Sequence, residues 1–252
     1  ANSNTAVGNS SLGSNTTGTY NVALGQNAAS TNTTGADIVA VGYGALQANT
    51  TANSNTAVGT ASLNANTTGF NNVGIGRRAL YVNTEGDANV AVGANALDAN
   101  TTADYNTAVG EGVLGANTTG EANTAVGAYA LTANTTAANN TSLGFQSLTD
   151  NTIGTANTGI GRRSLFVNTE GDYNTAVGMN TLDANTTADN NTAVGYSALT
   201  DNTTGAQNTG VGTGALANNT TADYNTAFGY QALWANTTGA SLVAVGKNAL
   251  IN

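Results

Sequence analysis

The chain has 252 residues, of which 32 are glycine, none is proline or cysteine, and 8% are charged, with a net charge of −9. Five basic residues are too few for the basic stripe that nucleic-acid binding requires. Without histidine and cysteine, neither the familiar catalytic triads nor His- or thiolate-based metal sites exist. No apolar segment approaches membrane-spanning length. We therefore expect a protein that is not an enzyme, with no cofactor, no nucleic-acid partner and no membrane insertion.

One motif of 17 residues fills the chain. The glycine of an A-V-G motif recurs every 17 residues without insertion or deletion, fifteen times from Gly8 to Gly246. A self-similar period of this length marks a solenoid, in which each repeat stacks on its neighbours. Asn, Thr and Gly are poor helix formers, and no 3.6-residue apolar stripe recurs. The sequence predicts an all-β fold over residues 1–252, a single-stack β-solenoid (β-roll) domain of fifteen 17-residue coils, uncapped at both ends.

We number the places of a repeat from the asparagine before the T-A-V-G motif. Place two is Thr or Val, place three is almost always Ala, and place four is always apolar. Since side chains alternate along a strand, places two and four share one face and place three takes the other. We expect places two and four to point into the coil. The alternative, that Ala points into a very narrow coil and Val points outward, stays open.

The small residues of place three predict a subunit interface if they point outward, because a solvent-facing row would tolerate large polar side chains. The alanines of this predicted interface are Ala6, Ala23, Ala40, Ala57, Ala91, Ala108, Ala125, Ala176, Ala193, Ala227 and Ala244.

Two further rows follow along the repeat. Place nine is Leu in every copy except at Ala29 and forms a second predicted core row. Place twelve is Asn, and stacked coils would align these amides in a hydrogen-bonded ladder that holds the turns together. Place one predicts a second ladder of the same kind. The place-twelve asparagines are Asn15, Asn32, Asn49, Asn66, Asn83, Asn100, Asn117, Asn134, Asn151, Asn168, Asn185, Asn202, Asn219 and Asn236.

Aromatic residues occupy variable, outward places, where they would contact another subunit or stack on a sugar. These candidate surface contacts are Tyr43, Tyr196 and Tyr230 at place six and Tyr81, Phe166 and Trp234 at place ten.

Two segments, 72–110 and 157–195, are near-copies that each carry an arginine pair, Arg77-Arg78 and Arg162-Arg163. We expect each pair to be neutralised by the acids of its own coil. Those acids are Glu85 and Asp87 in the first segment and Glu170 and Asp172 in the second.

The strand motif Asn89-Val90-Ala91-Val92-Gly93 resembles the V-A-I-G signature of the YadA-like heads of trimeric autotransporter adhesins, as do residues 38–42 and 242–246. The N-T-A-V-G arrays also resemble those of bacterial surface proteins and phage tail fibres. The resemblance implies a left-handed roll and a homotrimer with the alanine row at its interface. It also implies an exported, adhesive protein located on the cell surface or on a virion fibre.

The first functional hypothesis is a structural or adhesive extracellular fibre module, a head or shaft whose partners are copies of itself and a host or surface glycan. The second is a self-assembling extracellular filament in which uncapped ends join end to end. The third is an ice-binding β-solenoid, because the coils also resemble the β-roll antifreeze proteins of grasses. In that case the second Thr of Asn-Thr-Thr would form an outward row, interrupted at Glu85, Ile153 and Glu170.

Overall fold

Residues 3–251 are described by a computed structural model, and every regular element within them is a β-strand of three residues. The chain forms two compact units, the first ending at Asn123 and the second beginning at Thr124. The first unit contains β1 (Thr5–Val7), β2 (Val22–Leu24), β3 (Val39–Val41), β4 (Thr56–Val58), β5 (Val73–Ile75), β6 (Val90–Val92) and β7 (Thr107–Val109). The second contains β8 (Thr124–Val126), β9 (Thr141–Leu143), β10 (Thr158–Ile160), β11 (Thr175–Val177), β12 (Thr192–Val194), β13 (Thr209–Val211), β14 (Thr226–Phe228) and β15 (Val243–Val245).

Consecutive strands within each unit pair in parallel, with a constant offset of one repeat. Val22 lies opposite Thr5 in the first unit, and Thr175 lies opposite Thr158 in the second. Because one strand arises from each 17-residue repeat and stacks on the next, the predicted all-β solenoid is confirmed. The hand of the roll and the single domain remain predictions.

The glycine of place five turns the chain out of each strand. Its φ lies between 123° and 141°, a region that residues with a Cβ rarely adopt. A Cβ on Gly59 would lie 2.5 Å from the carbonyl oxygen of Gly76 in the next coil. The close approach of the coils therefore requires glycine here.

Three further places, seven, nine and seventeen, adopt left-handed backbone conformations in coil after coil. The leucines of place nine have φ between 49° and 54°, which is uncommon for a bulky residue. Hydrogen bonds between coils hold them there, as where the Leu46 N–H donates to the Ser62 carbonyl at 2.9 Å. The sequence carries no signal for this conformation, because leucine is not a typical left-handed residue.

The leucine row forms the core, as predicted. Its members are fully buried from Leu46 to Leu216, and Ala29 takes the same position. The preceding place, eight, is also buried and carries mostly Ala or Ser, for example Ala79 and Ser62. Each coil thus buries one large aliphatic side chain and several small ones, which explains why its interior is so narrow.

The predicted orientation of the strand side chains was wrong. Place three points inward: Ala23, Ala40, Ala57, Ala91, Ala108, Ala125, Ala176, Ala193 and Ala227 are fully buried, Ala244 is 3% exposed, and only Ala6 in β1 is exposed. A Cβ on Gly74, which occupies this place, would lie 3.3 Å from Cγ of Leu63 and 2.6 Å from Oγ of Ser62. Space at this place is therefore tight and admits only Gly, Ala or the hydrogen-bonded Ser142, so the alanine row is core and not a subunit interface.

The asparagine ladder of place twelve is confirmed. In the first unit the Asn83 amide nitrogen donates to Oδ1 of Asn66 at 2.9 Å and to the carbonyl of Gly86 at 3.0 Å, while Asn100 donates to Oδ1 of Asn83 at 2.7 Å. The second unit repeats the pattern from Asn134 to Asn236. Both amide hydrogens are used, so these buried polar groups stabilise the stack.

The second ladder, at place one, has a different construction. Its side-chain oxygen accepts from the backbone of the next coil, as where the Asn89 N–H donates to Oδ1 of Asn72 at 2.9 Å. Its amide nitrogen donates to the carbonyl of place fifteen, as from Asn72 to Gly86 at 2.7 Å. That carbonyl also accepts from Asn83 of the first ladder, so the two rows of asparagine are joined through one backbone oxygen.

Candidate interaction surfaces

The outward face of the strands consists of places two and four. Place four is apolar in all fifteen strands and half-buried to exposed, for example 48% exposed at Leu24 and 56% at Phe228. Place two is Thr or Val throughout. We call these two rows the strand face of each unit. They run from Thr5 to Thr107 and from Val7 to Val109 in the first unit, and from Thr124 to Val243 and from Val126 to Val245 in the second.

The strand face carries no charged residue at any of its places. Its side chains are β-branched or otherwise apolar and lie in register from coil to coil. Monomeric soluble proteins rarely expose contiguous apolar patches beyond a few hundred Å², and larger ones mark interaction sites. The strand face is therefore the strongest candidate for a contact surface.

A second exposed row is formed by the second Thr of Asn-Thr-Thr, at place fourteen. Every residue of this row within the described chain is exposed, from Thr17 to Thr238. The neighbouring Thr of place thirteen is held by a bond between coils, as where Oγ1 of Thr33 donates to the Thr50 carbonyl at 2.9 Å. The outward row of threonine that the sequence predicted is thus present.

Four of the six predicted aromatic surface contacts are well exposed: Tyr43, Tyr196, Tyr230 and Trp234. The other two, Tyr81 and Phe166, are partly covered by arginine. The Arg78 guanidinium lies 4.4 Å from the ring centre of Tyr81, and that of Arg163 lies 4.2 Å from the ring centre of Phe166. These two rings are therefore less available to a partner.

The ion pairs that form involve the next coil, which corrects the prediction of pairing within one coil. Arg78 pairs with Asp98 at 3.6 Å, and Arg163 pairs with Asp183 at 3.4 Å. The reason is geometric: stacking brings place seven of one coil beside place ten of the next, 20 residues further along the chain. The acids Glu85 and Glu170 lie on the exposed threonine row instead.

Both carboxyls in these ion pairs have a raised pKa. Desolvation by burial is the main cause for Asp98 and for Asp183, and it outweighs the opposite effect of Arg78 and Arg163. The ion pairs are half-exposed and contribute little to stability. We assign them a local role in covering the aromatic rings.

The acids of place sixteen hydrogen-bond to the backbone, a role that sequence reasoning missed. Asp87 accepts from the Phe70 N–H at 2.9 Å, and Asp104 accepts from the Asp87 N–H at 2.7 Å. Asp172 and Asp189 repeat this arrangement, in which each side chain accepts from the preceding coil. Asn53 does the same without a charge, at 2.8 Å from the Ala36 N–H. The distance of 17 residues between Asp87 and Asp104, and between Asp172 and Asp189, was the sequence signal that could have predicted this role.

Tyrosines at place seventeen were also missed. Tyr20, Tyr105, Tyr173 and Tyr224 are 61–67% exposed, more than any other aromatic residue of the described chain. They directly precede the asparagine of place one.

Within residues 3–251 no group of three or more acids could hold a metal ion, and no helix is long and apolar enough to cross a membrane. A pocket of about 290 Å³ lies beside Leu233, Leu242 and Leu250, but its lining contains no acid, amine or thiol.

No family model matches the sequence, and neither the curated proteins nor the solved structures contain a significantly similar chain.

Proposed function

We propose that this chain is a structural module of an extracellular fibre, in which copies associate side by side through the strand face. The sequence resemblance to adhesin heads and tail fibres supports a homotrimer on a cell surface or virion. Because the alanine row is buried, we assign the contact to the strand face, which consists of the outward rows of places two and four.

The observation that carries the proposal is the composition of the strand face. Thirty outward strand positions include no charged residue and no Asn or Gln, although the rest of the surface is rich in polar side chains. Solvent alone would tolerate lysine, glutamate or asparagine at such places. A covered face explains their absence.

The size of the face suits a stable interface. Three strand residues of about 3.3 Å each and a coil spacing of about 4.8 Å give about 50 Å² per coil, which is about 350 Å² in the seven coils of the first unit and about 400 Å² in the eight coils of the second. A standard protein interface buries about 800 Å² per partner. A second copy of the chain is the expected partner, because its rows of outward side chains repeat with the same coil spacing.

Light scattering coupled to size-exclusion chromatography tests the proposal. The wild-type chain should elute with a discrete oligomeric mass, near three protomers. The double variant V92K/V109K places two charges on the strand face and should elute as a monomer with an unchanged circular dichroism spectrum. The matched control T102K/T119K places the same charges on the exposed threonine row of the same unit and should remain oligomeric.

A wild-type monomer at high concentration would overturn the proposal. A mass that grows continuously with concentration would favour the filament instead, and electron microscopy would then reveal end-to-end polymers.

Ice binding is a second candidate function, favoured by the exposed threonine row. The hydroxyl of place thirteen is fixed by its bond to the next coil, so the adjacent row of place fourteen is regularly spaced along each unit. Thermal hysteresis of the wild type would support it. The variant T102K/T119K should reduce that activity and V92K/V109K should not, and zero hysteresis in the wild type would eliminate the idea.

A further inference from the structure

The side chains of the four tyrosines at place seventeen make no contact that would explain them by the stability of the fold. Their side chains are largely exposed, and none of their hydroxyl groups is hydrogen-bonded to the described chain. Neighbouring coils carry no aromatic residue at this place, so the rings are not stacked on each other: Tyr105, for example, lies between Ala88 and Ala122 along the row.

Their backbone conformation adds a cost. All four are left-handed, with φ between 55° and 60°. Asn, Ser and Ala take the same conformation in other coils, as at Asn71, Ser54 and Ala88. The coil imposes this conformation whatever the residue, and a bulky side chain suits it less well than Asn, so the backbone gives no reason for tyrosine at this place.

An aspartate precedes three of the four tyrosines: Asp104 before Tyr105, Asp172 before Tyr173 and Asp223 before Tyr224. Each aspartate is oriented by the preceding coil through Oδ1, which accepts from the backbone N–H of Asp87, Thr155 and Ala206 respectively. Oδ2 of each takes part in no hydrogen bond with the described chain. An oriented carboxylate with one free oxygen therefore lies next in sequence to an open aromatic ring.

We propose that these Asp-Tyr elements bind neutral carbohydrate. The apolar C–H face of a pyranose packs on a tyrosine ring, while a sugar hydroxyl donates to the free Oδ2 of the aspartate. Places sixteen and seventeen hold no lysine or arginine, and the net charge is −9, so an acidic polysaccharide would be repelled. This inference names the ligand of the fibre module and in that respect rests on the proposed function.

The spacing of the elements suits a polymer. Tyr173 and Tyr224 are separated by three repeats, which is about 14 Å along the stack at about 4.8 Å per coil. Each element alone would bind weakly, but a polysaccharide that engages two of them binds the second at a high effective concentration. We therefore expect polysaccharides to bind at least 10-fold more tightly than their monosaccharides.

Affinity electrophoresis in native gels that contain hydroxyethyl cellulose, galactomannan or dextran tests the inference. Relative to a gel without polysaccharide, the wild-type chain should be retarded in at least one of the three. The variant Y20S/Y105S/Y173S/Y224S should lose at least 10-fold in apparent association constant. Serine occupies place seventeen at Ser54 and Ser241, so this variant should keep the wild-type circular dichroism spectrum and melting temperature.

The comparison variant Y43T/Y196T/Y230T removes the three exposed tyrosines of place six, the other candidates for stacking on a sugar, where Thr60 and Thr213 already occur; the assignment to place seventeen predicts that it binds like the wild type. Unchanged migration in all three gels, or equal retardation of the place-seventeen variant, would overturn the inference.

The oligomeric mass, measured separately, distinguishes the two proposals. A monomer that binds polysaccharide contradicts the fibre module alone, and an oligomer that binds none of the three contradicts the carbohydrate ligand alone.

Discussion

At the scale of single residues, the stack depends on side chains that fit because they are small or fully hydrogen-bonded. The inward methyl group of place three and the amide of place twelve each occupy a site with no spare room or spare partner. The outward valines, in contrast, are replaced by Leu, Ile or Phe in other coils. Substitutions at the two kinds of position should therefore differ sharply in cost.

Ala108→Val should destabilise the protein, because two additional methyl groups must fit beside the leucine row. Overpacking of this kind costs about 1–3 kcal/mol. The neighbouring substitution Val109→Thr, on the strand face where Thr already occupies place two, should change stability by less than about 0.5 kcal/mol. Urea unfolding followed by circular dichroism measures both, and a larger cost for Val109→Thr would contradict the observed orientation.

Asn83→Ala should be more damaging. The substitution removes three hydrogen bonds and leaves buried polar groups of Asn66, Gly86 and Asn100 with fewer partners. A buried polar group left unpaired costs about 1–3 kcal/mol, so we expect a loss of about 3 kcal/mol. Thr102→Ala, in the exposed row, serves as the control with a near-zero effect. Equal stability of the two variants would mean that the ladder is energetically neutral.

At the scale of the coil, turns and strands are specified by different kinds of signal. The glycine of place five and the alternation of the strand were evident in the sequence because only a few residues suit them. Alternation, however, shows which side chains share a face and not which face is inside, so the alanine row was misplaced. That choice depends on how close Leu63 and Ser62 come to Gly74, a distance that only the folded coil determines.

Other features lacked a sequence signal altogether. The left-handed leucines are unlike the Gly and Asn that normally mark such a conformation. The ion pairs of Arg78 and Arg163 join residues 20 apart, an offset that becomes apparent only once the coils are stacked. The asparagine ladder was predictable because one residue type recurs at one place, and stacking in register aligns such residues whatever the details of the coil.

Two glycines provide a test of the turn. Gly59→Ala should destabilise the protein by about 3 kcal/mol or more, because its φ is 132° and a Cβ would meet the backbone of Gly76. Gly44→Ala should be tolerated, since Ala61 holds the equivalent place with φ of 56° and the nearest atoms belong to flexible side chains. Thermal melts of the two variants should separate clearly, and coincident melts would contradict this account of the turn.

The raised pKa of Asp87 leads us to expect that the stability of the coil depends on pH. Burial raises the pKa of its carboxyl above the ordinary value of 3.8, Asp104 acts in the same direction, and the bond from Phe70 opposes the rise. A raised pKa in the folded state contributes stability below pH 3.8 that is lost as the pH rises through the folded pKa. Asp87→Asn keeps the backbone bond, as Asn53 does, but cannot ionise.

Asp87→Asn should therefore be more stable than the wild type at pH 7 and equally stable at pH 3. Urea midpoints at the two pH values provide the measurement. A variant that is less stable than the wild type at pH 7 would contradict the assigned cause of the shift.

At the scale of the whole molecule, each repeat within a unit stacks on the repeats before and after it, so an offset of about 17 residues governs the contacts between coils. Strand pairing, both asparagine rows and the leucine backbone bonds all follow this offset or one within a few residues of it. Both proposed surfaces depend on the same register, because rows of identical places exist only if successive coils are aligned. The 17-residue register therefore determines both the fold and the two proposed surfaces.

Engineered disulfides test the register most directly, because the chain has no cysteine of its own. Val41 and Val58 are strand partners, so V41C/V58C should form an intramolecular disulfide under mild oxidation at low protein concentration. Thr60 is more exposed than Val58 but lies two residues beyond it, so V41C/T60C should oxidise much more slowly. Mass spectrometry of the digested protein measures both. Faster crosslinking of V41C/T60C than of V41C/V58C would contradict a stack of coils in 17-residue register.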